Sequence, residues 1–245
     1  MPSSLVREVL DAFAASGVDL GALGLAWARV SPTVALVPAF GLRAIPAPAR
    51  GVFALALAAS IYPALGPAAA SPSHGPWVVL ALVEVMRGLP IALAAAVPLW
   101  AATMAGGVVD ALRGAPESAS APTVEGRATP LGVPLSILAC AIFLFTGGPA
   151  RTVAALAMRD LPAHPLLAAA HDLTAGISLA VAIGGPLLAA SVVLEIAGAL
   201  IARAASPAQL HTLLAPLRAL GILAVVAIVL DRGAVVLARA IAQVP

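Results

Sequence analysis

Long apolar runs, separated by short polar or proline-rich stretches, set the pattern of this chain. Six stand out, at roughly 20–40, 51–70, 76–106, 131–148, 174–202 and 213–240. A helix needs about 20 mostly apolar residues to cross the hydrocarbon of a bilayer. The runs are continuous and rich in Ala and Leu, whereas barrel strands would alternate apolar and polar positions in short segments. The pattern therefore predicts an all-α integral membrane protein with about six hydrophobic helical segments, in one domain over residues 1–245. Ahead of the first run, Ser3 and Ser4 precede Val6, Val9, Leu10 and Phe13, the signature of a short capped amphipathic helix. Glu8, Asp11 and Asp19 interrupt this stretch, so it does not read as a signal peptide.

The interruptions inside the runs predict bent helices. The first run holds Arg29, Ser31, Pro32 and Pro38, a poor lone span that calls for kinks and a protein partner for the arginine. Pro46, Pro48 and Arg50 form a rigid connector, and Pro63, Pro67, Pro72 and Pro76 should stop the second helix. The third run is longer than one span needs; it must tilt, break near Pro90 or Pro98, or project from the bilayer. Gly106 and Gly107 permit close packing or a bend. The polar segment that follows is either a solvated loop or a functional one. Run four should end at Gly147-Gly148-Pro149, leaving a connector with Arg151, Arg159, Asp160, His164, His171 and Asp172. Gly184-Gly185-Pro186 predicts a break in run five.

Composition agrees with the pattern. Hydrophobic residues make up 62% of the chain, charged ones 10%, and the mean hydropathy is +1.07. Soluble domains carry about 45–50% apolar and about 25% charged residues. Every basic residue is Arg, and Ala is abundant, which reads as coding bias. The net charge of +2 and the lack of any basic cluster exclude a nucleic-acid partner. The single cysteine, Cys140, rules out an internal disulfide or a multi-cysteine metal site. Arginines fall on both sets of connections, so the positive-inside rule gives no orientation.

The chemistry to explain is the charge inside the apolar runs. Glu84/Arg87 and Asp110/Arg113 are both i,i+3 pairs, read either as local ion pairs at helix ends or as functional groups. Glu195 lies deep in run five, with Gly198 and Arg203 at helical spacings from it. Such groups should face protein or water. His164, His171 and Asp172 lack a second ligand cluster, so no metal or other cofactor is expected. No catalytic motif for a hydrolase, a phosphate-binding loop or a zinc peptidase occurs, and an enzyme is not expected. A small-molecule transporter coupling through Glu84, Glu195 and the buried arginines is an alternative, although no internal repeat supports it.

Three groups of residues, in order, resemble the SctT/FliR family, the export-apparatus subunit shared by type III secretion injectisomes and the flagellar export gate. The first is Pro38, Gly41, Pro46 and Arg50 in PAFGLRAIPAPAR. The second is Glu84 and Gly88, then Pro98-Leu99-Trp100 and Asp110-x-x-Arg113-Gly114, followed by EGRATPLG and FLFTGG. The third is Glu195, Gly198, Arg203, Pro207, Pro216 and Arg218. Departures are Leu99 for a usual Phe, Glu195 for Asp, Arg218 for Lys, the added charge of Arg87, and Met158-Arg159-Asp160 in place of Ser-Tyr. The W-x(9)-D-x-x-R-G pattern favours the injectisome branch.

The resemblance implies a multi-pass inner-membrane component of a protein-export channel, assembled with SctR/FliP-like and SctS/FliQ-like subunits and passing secreted proteins. It implies bent hairpins partly lifted out of the bilayer, and a plug-like loop over Gly106–Pro130. Gate candidates are then Trp100, Gly106, Gly107, Asp110, Arg113 and Gly114. Candidates for intramembrane charge or assembly are Glu84, Arg87, Glu195, Arg203 and Arg218.

Overall fold

A computed structural model describes residues 8, 15, 17, 19–40, 46–65, 76–114, 129–158, 164–204 and 211–243. The expected amphipathic helix near the N-terminus, the connectors 41–45 and 66–75, the polar segment 115–128 and residues 159–163 lie outside the described residues. Among the described residues, seven helices follow in order: α1 Leu20–Leu36, α2 Ala47–Leu65, α3 Trp77–Leu112, α4 Gly132–Phe145, α5 Gly148–Ala157, α6 Pro165–Ala204 and α7 His211–Ala242. The described residues are helical apart from short turns and caps. Among the described residues, four helices are long and apolar enough to cross a membrane, or five if the bent α4–α5 pair is one span. The protein is an all-α, multi-pass membrane protein.

α3 is the hub. It packs against α1, α4 and α6, and touches α5 and α7. One core lies between α1, α2, α3 and α5, where Ala26, Val30, Ala58, Ile61, Ile91 and Leu156 are buried. A second joins the middle of α3 (Ala95, Ala96, Leu99) to Cys140 and Phe143 of α4 and to Leu237 and Ile241 of α7. Small residues make these crossings close, as membrane helices require when hydrocarbon is as apolar as the side chains themselves. A side chain on Gly88 would overlap the carbonyl of Arg29, and one on Gly176 would overlap Val97. The abundance of Ala, read above as coding bias, thus has a packing role: Ala92, Ala95, Ala96 and Ala101 are fully buried.

Helix starts and stops follow local chemistry. Asp19 caps α1, its Oδ1 accepting from the N–H groups of Gly21 and Ala22 at 2.7 and 3.3 Å. Pro32 sits inside α1 and removes a backbone donor to Ala28; Ser31 Oγ donates to that carbonyl at 2.8 Å instead. Gly147, at φ 74°, ends α4 and starts α5 at a bend of 63°, with Pro149 in the first turn.

The expected breaks fare unevenly. Pro38 does end the first run, in a short 3-10 turn, Pro38–Phe40. Pro63, in contrast, lies within α2, α3 runs unbroken through Pro90 and Pro98, and α6 runs unbroken through Gly184-Gly185-Pro186. Where water is scarce, breaking a helix exposes several backbone groups, while one internal proline forfeits a single bond. The connector expected after Gly148 is also helical as far as Ala157, and His171 and Asp172 lie within α6.

Candidate functional site at the charged ends of the central helix

Glu84 and Asp110 lie 26 residues apart on α3, about 39 Å along its axis. Each is the centre of a separate charge cluster. At the Glu84 end, Arg29 of α1 crosses α3 where Gly88 allows the two backbones to meet. Arg29 Nε donates to Glu84 Oε2 at 2.6 Å, with Nη2 2.5 Å from the same oxygen. Arg87 Nη1 donates to Oε1 at 2.6 Å. Arg29 Nη1 reaches the carbonyls of Leu156 and Met158, both at 3.3 Å, at the C-terminal end of α5. The side chains of Arg29 and Glu84 are only 6% and 13% exposed. One guanidinium thus ties α1, α3 and α5 together, its positive charge placed at a helix C-terminus, where the backbone dipole is negative.

At the other end, the Asp110 side chain is fully buried. Its Oδ1 accepts from Arg113 Nε at 2.7 Å and its Oδ2 from the backbone N–H of Leu131 at 2.6 Å. The carboxylate therefore joins the last turn of α3 to the first residues of α4. Glycine brings the two backbones together: a Cβ on Gly106 would lie 2.5 Å from Gly132 Cα. Thr129 Oγ1 accepts from the Gly132 N–H at 3.2 Å and helps start α4. A Cβ on Gly107 would meet Thr129 only in ordinary contact, and Gly114, at φ 73°, ends the helix in the left-handed conformation glycine tolerates. Of the residues proposed for a gate, Asp110, Arg113, Gly106, Gly107 and Gly114 thus come together at one junction. Trp100 lies three turns earlier, partly buried against the cores shared with α4, α6 and α7.

Glu195 belongs to a third charge cluster. Its partner is Arg218 of α7, at 2.5 Å, with the two side chains 53% and 38% exposed. Arg203, in the last turn of α6, is exposed. Sequence spacing placed Glu195 with Arg203, whereas the hairpin brings Arg218 to it. The two ends flank a groove of about 430 Å³ that also includes Gly198, Ala202, Leu214 and Leu217.

Two roles were not visible in the sequence. Arg29 was singled out as a buried charge, but its partner 55 positions away was not. Arg151 donates to the carbonyls of Ile241 and Ala242, both at 3.1 Å, and so closes the C-terminal end of α7. Basic residues beside a Gly-Gly-Pro turn give no hint of which distant helix end they will meet. Among the described residues, no group of three His, Cys, Asp or Glu side chains could hold a metal ion. Of the four ionic contacts, Arg29–Glu84 and Arg218–Glu195 bind helices to one another, while Arg87–Glu84 and Arg113–Asp110 are local to α3 and its C-terminal cap.

Comparison with known proteins bears on this arrangement. The family described as bacterial export proteins, family 1, matches residues 20–244. The secretion system apparatus protein SsaT of Salmonella typhimurium is 40% identical over 73 residues, a stretch covering 29% of this chain and 28% of that relative.

Proposed function

The chain belongs to the bacterial export proteins, family 1, and on that premise we propose that it is a non-catalytic subunit of a type III protein-export gate in the bacterial inner membrane. One observation carries the reading. α6 has 40 residues, about 60 Å of helix, against a hydrocarbon core of about 30 Å. Large apolar side chains stay exposed along nearly all of it, from Leu166 and Leu167 through Ile177 and Val193 to Leu200 and Ile201. No single hydrocarbon slab covers a stripe about 50 Å long. The remainder has to be covered by other protein, as in a helical assembly that rises out of the bilayer. SctR/FliP-like and SctS/FliQ-like subunits are the partners we assign to it, and unfolded secreted proteins the cargo. The half-exposed Glu195–Arg218 pair fits the same view, since hydrocarbon is a costly place for it.

Within that assembly, the Gly106–Pro130 region acts as a plug whose two ends are held by Asp110. The mechanism is passive: the loop and its apolar neighbours occlude the lumen and move when a substrate enters. Glu84 and Glu195 each have an arginine partner within the fold, which supports assembly roles over the ion-coupling pathway of a small-molecule transporter. Purification of the tagged chain from its own host tests the proposal. It should bring down the other two apparatus subunits in a stable complex. A chain recovered alone, which by itself drives proton-coupled uptake of a small molecule in vesicles, would contradict it.

A further inference from the structure

The carboxylates on α1–α7 follow a rule with one exception. Glu84, Asp110 and Glu195 each meet an arginine, and Asp231 is exposed on α7. Asp172, two turns into α6, is part-buried, yet among the described residues no Arg or His nitrogen pairs with it. It lines a pocket of about 450 Å³ where the C-terminal end of α7 meets α3 and α6. Gly176 and Val97 mark the close crossing of α3 and α6 beside it. Ahead of this point α3 and α6 both have further turns while α7 stops, which leaves the seam between them open. Pro98, also in the lining, has no N–H to give the carbonyl of Ala94. Ala94 itself is part-exposed between buried neighbours. A carboxylate and a spare backbone acceptor thus share one pocket, and no arginine lines it. Ala94, Ala175, Gly176 and Ala240 are small and leave room for a side chain to enter.

A carboxylate among apolar helices is costly unless it is paired. We propose that this pocket receives a basic side chain, guanidinium or ammonium, from a neighbouring membrane subunit, with Asp172 as its ionic partner and the Ala94 carbonyl as a second acceptor. The inference rests on the export-gate reading and adds the chemistry and the place of one subunit contact. α6 is the helix whose exposed apolar length requires a cover of other protein, so a neighbouring helix has to lie along it. A bound metal ion suits the pocket less well. Calcium takes about six to eight oxygen ligands, and the lining offers a single carboxylate.

Three variants of the tagged chain test this in the native host. Asp172→Asn keeps the size of the side chain and removes its charge, Asp172→Arg reverses the charge, and Asp231→Asn is the control. The yield of co-purified subunits is measured at rising salt, and the melting temperature of the chain purified alone reports its fold. Asp172→Asn should melt as the wild type does and hold its partners on the order of tenfold less tightly. Asp231→Asn should match wild type in both. Asp172→Arg should lose the complex. Changing Lys and Arg residues in the membrane segments of the co-purified subunits to Glu, one at a time, should restore it at one position. Wild-type yields of complex from both Asp172 variants overturn the proposal, as does a folded Asp172→Arg chain that no such change rescues. An Asp172→Asn chain that melts lower overturns it whatever its assembly, since the carboxylate then serves the fold. So does a wild-type melting temperature that rises in sodium or potassium chloride over choline chloride, with the rise abolished by Asp172→Asn, because the occupant is then a free cation. A wild-type chain that brings down no other subunit sinks the export-gate reading instead.

Discussion

A guanidinium buried among apolar helices survives only where its charge and its nitrogens are partnered, and each nitrogen of Arg29 finds an acceptor in Glu84 or in two carbonyls at the end of α5. Removing one member of such a pair leaves an uncompensated charge, a loss of about 3–5 kcal/mol, whereas replacing both with apolar residues is often neutral. Glu84→Leu should therefore strongly lower the detergent melting temperature, and Arg29→Met/Glu84→Leu should recover most of the loss. A double variant no better than the single one would show that the pair does not act as a unit. The sequence made half of this legible. Arg29 in an apolar run demanded a partner, and Glu84 in another run did too. Local spacing suggested Arg87 for Glu84, and that contact exists, but the Arg29 contact depends on a helix crossing at Gly88 that no local pattern encodes. Glu195 shows the same limit: helical spacing pointed to Arg203, and the hairpin supplied Arg218.

Between elements, ends are fastened by single polar groups. Asp110 should be unequally sensitive to its two replacements. Asp110→Asn keeps an acceptor for the Leu131 N–H and loses the ionic contact with Arg113, while Asp110→Ala strands both donors. An unsatisfied buried donor costs about 1–3 kcal/mol. Amide hydrogen exchange at Leu131 and Val133 should accelerate clearly more in Asp110→Ala than in Asp110→Asn; equal rates would remove Asp110 from the clasp. Arg151→Gln should fray the last turn of α7 at a cost of about 1 kcal/mol, read by faster exchange near Ala242. Helix existence was well marked by hydropathy, and Gly147-Gly148-Pro149 ended α4 as its residues demand. Gly184-Gly185-Pro186 did not end α6, because long apolar helix on both sides outweighs the single bond that Pro186 removes. The short α5 was read as a connector because its Arg and Thr interrupt hydrophobicity, yet Thr152 is buried with Ala155 and Leu156, its hydroxyl donating to the Gly148 carbonyl one turn back.

At the scale of the whole molecule, α6 leaves an exposed apolar stripe longer than the hydrocarbon of one bilayer is thick. This excess stands behind the proposed assembly, and the length and hydrophobicity of the runs already hinted at it. How the runs pack around α3 was not legible, since Ala- and Gly-rich helices offer many equivalent faces and the choice rests on close backbone contacts. The plug-like role of the loop came from resemblance to a family, and residues 115–128 lie outside the described structure. That role carries its own test: shortening residues 116–126 should raise ion leakage through the assembled gate, and unchanged leakage with unchanged secretion would remove the assignment. The central claim, that this chain is an export-gate subunit, is tested most directly by secretion from its native host after clean deletion of the chain. Deletion should abolish release of type III substrates, and re-expression of the intact chain should restore it. Undiminished release from the deletion strain would contradict the claim.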